Sequence, residues 1–281
     1  MNVYLLSVIL GVIEGVTEFL PISSTAHLRI AQALMGLSLD DEFWKLFAIF
    51  IQLGAILSVV VLYRERLLRF VKDAQRVAFW KKGIVISREP LGLISLCFLF
   101  TALPAFALKK IAGKNLENMQ VILSALVVGG IVMILVDYLF AKRGRIEKIE
   151  EMSPWQAIWI GLVQTLSAVF PGTSRSMSTI AAGQLAGLSR SAALDFSFLV
   201  SIPVMAVATV YDLLKYKKET GGLALSGHQV ALLSIGFFVS FIVAYGVVAW
   251  FLGYVRKKGF LPFGLYRIAL AIFLFLYWTP K

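Results

Sequence analysis

Six long apolar runs dominate the chain, at about 43–63, 91–108, 118–140, 192–214, 228–252 and 261–278. A helix needs about 20 residues to cross the roughly 30 Å hydrocarbon core of a bilayer, so each predicts a membrane span. Two further apolar runs, about 3–20 and 155–170, break at Pro21 and Pro171 and resume as short polar-faced helices. That pattern predicts helices that enter the bilayer, turn and return. Irregular backbone at such depth is tolerated only where it lines a cavity or is buried in protein.

Basic residues between the runs set the expected orientation. The stretch 64–90 carries Arg64, Arg66, Arg69, Lys72, Arg76, Lys81, Lys82 and Arg88, 141–154 carries four basic residues, and 253–260 carries Arg256, Lys257 and Lys258. These loops are expected in the cytoplasm, with 64–90 the only sizeable loop, and 109–117, 215–227 and both termini outside. The polar breaks resemble one another. Gly11-Val-Ile-Glu14-Gly-Val-Thr17-Glu18-Phe-Leu-Pro21-Ile-Ser23-Ser24-Thr25-Ala-His27 is echoed 150 positions later by Gly161-Leu-Val-Gln164-Thr-Leu-Ser167-Ala-Val-Phe-Pro171-Gly172-Thr173-Ser174-Arg175-Ser176. This overlay lays Gln164 on Glu14, Ser174 on Ser24 and Arg175 on Thr25. Further on, Gly36-Leu-Ser38 recurs as Gly187-Leu-Ser189. With three spans and one hairpin in each half, the second copy is expected upside down relative to the first. The expected fold is an all-α polytopic membrane protein: an inverted-topology repeat of six transmembrane helices and two re-entrant hairpins. Residues 1–140 form the first repeat, with its hairpin at about 3–37, and 155–281 the second, with its hairpin at about 155–190, in a single membrane domain.

Composition agrees with this reading, since 59% of the 281 residues are hydrophobic and only 15% are charged. The first apolar run has no basic residue ahead of it and carries Glu14 and Glu18, so it is expected to be retained rather than cleaved. A net charge of +11 would point to nucleic acid in a soluble chain, but here it belongs to loops beside anionic lipid, and no nucleic-acid partner is expected. The lone Cys97 allows no disulfide within the chain and is read as packing.

The candidate chemistry lies in the two polar breaks. Glu14 and Glu18 are four apart and share a helix face, and two carboxylates that close in an apolar setting need a compensating cation or proton. A divalent metal is the expected answer. After Pro21, Ser23, Ser24 and Thr25 offer hydroxyls and free N–H groups at a new helix start, a geometry that binds phosphate, although capping alone would also explain them. His27, one turn past Ser24, can act as general base, acid or ligand. In the second break Gly172 allows close approach, Thr173, Ser174 and Ser176 add hydroxyls, and Arg175 brings a fork matched to phosphate oxygens. Folded together, the copies would face these groups across one pocket suited to a diphosphate with bound metal. Asp137, Asp195 and Arg267 are expected to pair internally or lie near an interface.

These motifs, with Phe196-Ser-Phe-Leu, Ile202-Pro203 and Pro262-Phe-x-x-Tyr266-Arg267, resemble the undecaprenyl-diphosphate phosphatases, also described as bacitracin-resistance proteins, over nearly the whole chain. The resemblance implies hydrolysis of undecaprenyl diphosphate in the bacterial inner membrane, recycling the lipid carrier of cell-wall synthesis, with Mg2+ or Ca2+ as cofactor. It makes Glu14 and Glu18 the acidic motif, Ser24 the nucleophile, His27 the catalytic histidine and Arg175 the phosphate-binding residue. Ala26 and Met177 stand where glycine is usual and are expected to narrow the loops. The site is expected to open to the periplasmic or extracellular face. A covalent phosphoserine and direct attack by water both remain open, as does a homo-oligomer. The alternative to an enzyme is a transporter or polyprenyl-phosphate flippase, since inverted repeats with broken helices also serve alternating access.

Overall fold

Prolines and short polar side chains mark where the helices begin. Asn2 accepts the Tyr4 N–H at 2.9 Å, Asn118 accepts that of Gln120 at 3.0 Å, and Pro90 and Pro154 open helices at their first position, where the missing N–H is no loss. The computed structural model describes residues 2–38, 41–80, 89–116, 118–140, 142–222 and 225–277. Among these, the chain forms α1 (Val3–Thr17), α2 (Ser24–Leu34), α3 (Glu42–Leu62), α4 (Arg64–Trp80), α5 (Pro90–Ala107), α6 (Lys109–Leu116), α7 (Met119–Phe140), α8 (Pro154–Val169), α9 (Arg175–Leu185), α10 (Arg190–Thr220), α11 (Gly227–Lys258) and α12 (Leu261–Tyr277), and no strand beyond one isolated bridge between Ile146 and Leu188. The protein is an all-helical polytopic membrane protein.

Five helices, α3, α5, α7, α10 and α11, are long and apolar enough to span a bilayer. The sixth expected span is α12, 17 residues long, and residue 278 of that expectation lies outside the described residues. The expected loop at 64–90 is instead helical from Arg64 to Trp80, while Lys81, Lys82 and Arg88 lie outside the described residues. Hydropathy averaged along the chain hides such a helix. In its first half Leu67, Phe70 and Val71 recur at helical spacing among Arg64, Arg66, Arg69 and Lys72, leaving no apolar run of membrane length.

The chain divides into two compact units. The first comprises Met1–Phe19, Ser24–Leu62 and Ser201–Trp250. Leu6 and Leu10 of α1, Leu28 of α2, Trp44, Phe47 and Ile51 of α3 and Leu233 of α11 form its core, with the Trp44 and Phe47 rings edge to face at 5.2 Å. A Cβ on Gly11 would meet Gly236 O at 2.8 Å, and one on Gly15 would meet Ser240 O at 2.8 Å. The absence of side chains there lets α1 lie directly on α11, the close packing that joins helices where lipid removes the hydrophobic drive.

The second unit comprises Leu20–Ser23, Tyr63–Val200 and Phe251–Lys281. Here α5 packs on α8, α7 on α12, and α9 on both α7 and α8. Thr101 donates its hydroxyl to Cys97 O at 2.8 Å and to Gly161 O at 3.0 Å, joining α5 to α8. Two of the expected internal pairs form in this unit. Arg190 grips Asp137 with both arms at 2.6 and 2.8 Å, and Asp195 accepts from Tyr63 at 2.7 Å and Arg66 at 3.0 Å.

Candidate active site

The acidic motif sits at the end of α1. Glu18 keeps helical torsions and donates its N–H to Glu14 O at 2.9 Å, so the two carboxylates lie one turn apart on one face. Glu14 is 0% and Glu18 9% exposed. Both stand at the negative end of the helix dipole, which adds to the cost of burying their charge. Ser24 supplies one compensation: its hydroxyl donates to Glu18 Oε2 at 2.5 Å. That is a short, charge-assisted bond, and it points the proton at the carboxylate, leaving the oxygen lone pairs of Ser24 directed elsewhere. His27 follows one turn later in α2 and is half-buried.

The turn Leu20–Ser23 and the turn Pro171–Ser174 share a backbone feature. Ser23 and Ser174 both have φ of 74°, and among the described residues they are the non-glycine positions with positive φ. Such a conformation costs about 1–3 kcal/mol and persists where the surroundings impose it. Each serine leads directly into an 11-residue helix, which begins at Ser24 in one case and at Arg175 in the other. Local geometry therefore sets Ser174 against Ser23 and Arg175 against Ser24, one position away from the 150-residue overlay. The additional residue is Gly172, whose φ is 96° and where a Cβ would collide with Ile122 O. In this register Ala26 and Met177 are both the third residue of a helix and both buried. Neither narrows a loop.

The hydroxyls of the second turn have distinct tasks. Ser174 caps α9, its Oγ 3.4 Å from the Met177 N–H and 3.0 Å from Ser176 Oγ. Ser176, expected to bind substrate, is fully buried and donates to Leu20 O at 3.0 Å, which ties this turn to the first. Arg175 Nη1 donates to Ser197 O at 3.1 Å, setting the direction of its fork. Thr173, Met177 and Ser178 border a cavity of about 660 Å³ between α7, α8 and α9, whose lining is mostly apolar, with Val121, Val128 and Leu166, and includes Asn118, Gln120 and Ser124.

The family model described as "Bacitracin resistance protein BacA" matches residues 7–273. The chain belongs to the BacA family. Relatives named undecaprenyl-diphosphatase include one from Koribacter versatilis, 54% identical over 97% of both chains, and one from Thermus thermophilus, 42% identical over 94% of both. A third, from Campylobacter jejuni, is 41% identical over 99% of this chain and 95% of its own.

For this BacA-family chain, the residue that sequence reasoning undervalued is Arg267. Expected, with Asp137 and Asp195, to pair internally or lie near an interface, it is internal: 0% exposed, it donates to main-chain carbonyls, those of Pro21 and Gly172 among them. The available signal was a lone arginine inside the apolar run of α12. Among the described residues no three His, Cys, Asp or Glu side chains come together to close a metal site. Two buried carboxylates one turn apart are a donor set of the kind that magnesium takes, since that ion is usually bound by one or two carboxylates together with water and phosphate.

Proposed function

We propose that the protein hydrolyses undecaprenyl diphosphate to undecaprenyl phosphate and inorganic phosphate in the bacterial inner membrane. This returns the lipid carrier to cell-wall synthesis and confers resistance to bacitracin. The observation that carries the mechanism is the Ser24 hydroxyl held on the Glu18 carboxylate. Ser24 Oγ attacks the terminal phosphorus while its proton passes to Glu18. The bond from that phosphorus to the bridging oxygen breaks, and undecaprenyl phosphate leaves with the oxygen. Water then attacks the phosphoserine, His27 takes the proton of the water, and Glu18 returns its proton to Ser24 as phosphate departs. Arg175 holds the terminal phosphoryl oxygens. Ser23, Thr25, Gly172, Thr173 and Ser174 supply hydroxyl and main-chain N–H donors to the diphosphate. Glu14 and Glu18 would hold the divalent cation, magnesium or calcium, which when bound supplies neutralising charge to the diphosphate. Positioning and electrostatics carry most of the acceleration in such phosphoryl transfers.

The test is rapid-quench phosphate release from a labelled polyprenyl diphosphate by protein purified in detergent. A burst of label on Ser24, which accumulates in His27→Ala, is the expected result. No label on Ser24 in a wild-type burst would assign the attack to water instead, and no release by folded wild type would favour a carrier of lipid diphosphates.

The arrangement expected for this reading is an inverted repeat of six spans, with α1–α2 and α8–α9 as its re-entrant hairpins. Its support is the recurrence of a φ 74° serine before an 11-residue helix in each half. With the basic stretches 64–90, 141–154 and 253–260 in the cytoplasm, the first hairpin opens to the periplasm. A cysteine at Gln75 that could be labelled only from outside would reverse this orientation. The isoprenoid chain fits the apolar cavity beside Thr173 and Ser178, which continues from the second turn between α7, α8 and α9.

A further inference from the structure

Arg267 brings a guanidinium into a site with no water access, where each unsatisfied N–H would be costly. Its donors are distributed with care for geometry: Nε to Leu126 O at 3.2 Å, Nη1 to Pro21 O at 2.9 Å, and Nη2 to Ala125 O at 3.1 Å and Gly172 O at 2.9 Å. Ala125 and Leu126 belong to α7. Pro21 and Gly172 belong to the two turns from which the helices of Ser24 and Arg175 start. A planar fork can reach carbonyls on three separate segments at once, whereas an ammonium is a point donor on a flexible stem. Gly129 makes the space, because a Cβ there would collide with Nη2. The Ser176 hydroxyl on Leu20 O is a second, weaker tie between the same turns.

We propose that Arg267 is a positioning residue for the phosphatase reaction. It locks the Pro21 and Gly172 carbonyls, and with them the backbone that aims Ser24 and Arg175, acting through main chain rather than by contact with phosphate. The inference rests on the reading that Ser24 and Arg175 work on the substrate. A displacement of about 1 Å at a reacting group can lower turnover on the order of 100-fold. Loss of the fork is therefore expected to appear in kcat, while KM stays within about threefold.

Arg267→Lys, Arg267→Met and Gly129→Ala, purified in detergent and checked by thermal unfolding, are compared with wild type in polyprenyl-diphosphate hydrolysis with kcat and KM resolved. The expected order of kcat loss is Met, on the order of 100-fold, then Lys, then Gly129→Ala, which keeps the arginine but pushes on Nη2. Should Arg267→Met fail to fold, Lys and Gly129→Ala carry the same comparison. Wild-type kcat in folded Arg267→Lys and Gly129→Ala overturns the proposal. So does a raised KM with kcat kept, which would put the guanidinium on the substrate. Ser24→Ala and Arg175→Ala in the same assay separate the two failures: inactive there with active Arg267 variants, only the positioning role falls; active there, the site reading itself falls and takes this role with it.

Discussion

The two turns, Leu20–Ser23 and Pro171–Ser174, are alike in backbone and unlike in chemistry. Each ends on a serine in the left-handed region and launches an 11-residue helix. Along the helices that precede them, however, the 150-residue overlay lays Gln164 on Glu14 and Ala168 on Glu18. Where the first copy begins its second helix with Ser24, the second begins with Arg175. The first segment thus carries two acidic groups and a serine where the second carries a cation. On the proposed mechanism the first turn serves the part that reacts and the second the part that binds. Gly172 brings the second turn's main chain against Ile122 O, where no side chain fits.

Removing the reacting side of the comparison should have the largest effect. Ser24→Ala and Glu18→Gln are each expected to lower kcat by about 10²–10⁴-fold in phosphate release, since on the proposed mechanism they remove the nucleophile or its proton acceptor. Activity near wild type in Glu18→Gln would return the role of base to His27. Arg175→Lys should be milder, about tenfold or more in kcat/KM, because a point charge replaces a fork. If Arg175→Lys were silent, charge rather than geometry would be what the second turn contributes.

Making the copies more alike tests the division from the other direction. Gln164 is 1% exposed, and among the described residues its amide has no hydrogen-bond partner. Gln164→Glu should therefore cost several kcal/mol as an uncompensated buried carboxylate, read as a lower unfolding temperature in detergent. Retained stability would mean that the second copy can hold a charge as the first does. Filling the cavity by Val128→Trp should raise KM for long polyprenyl diphosphates and leave a short-chain diphosphate nearly unchanged. Equal effects on both would remove the cavity from the chain-binding role. The smallest change is expected from Ser23→Gly and Ser174→Gly, within about 1 kcal/mol of wild type, as relief of left-handed strain offsets added chain entropy. Unequal responses would show that one turn is held harder than the other.

Much of this was written along the chain. Apolar runs at membrane length located α3, α5, α7, α10 and α11, because a lipid-spanning helix must be continuously apolar and local composition suffices to reveal it. The prolines and serines located both turns, and the paired glutamates stood out as charges in apolar surroundings. The amphipathic α4 was hidden, since its apolar residues form a stripe rather than a run. The 150-residue overlay and the backbone of the two turns differ by one residue, because matching letters cannot show which serine adopts positive φ. Sequence alone determined the class and the family and supplied the candidate reactive groups, all of which depend on residue type and local spacing. Only the tertiary structure decided that the Ser24 proton faces Glu18, that Ser176 serves as a tie, and that Arg267 gathers the Pro21 and Gly172 carbonyls from distant parts of the chain. Those choices depend on which donors and acceptors meet when water is excluded, and no spacing along the sequence encodes them.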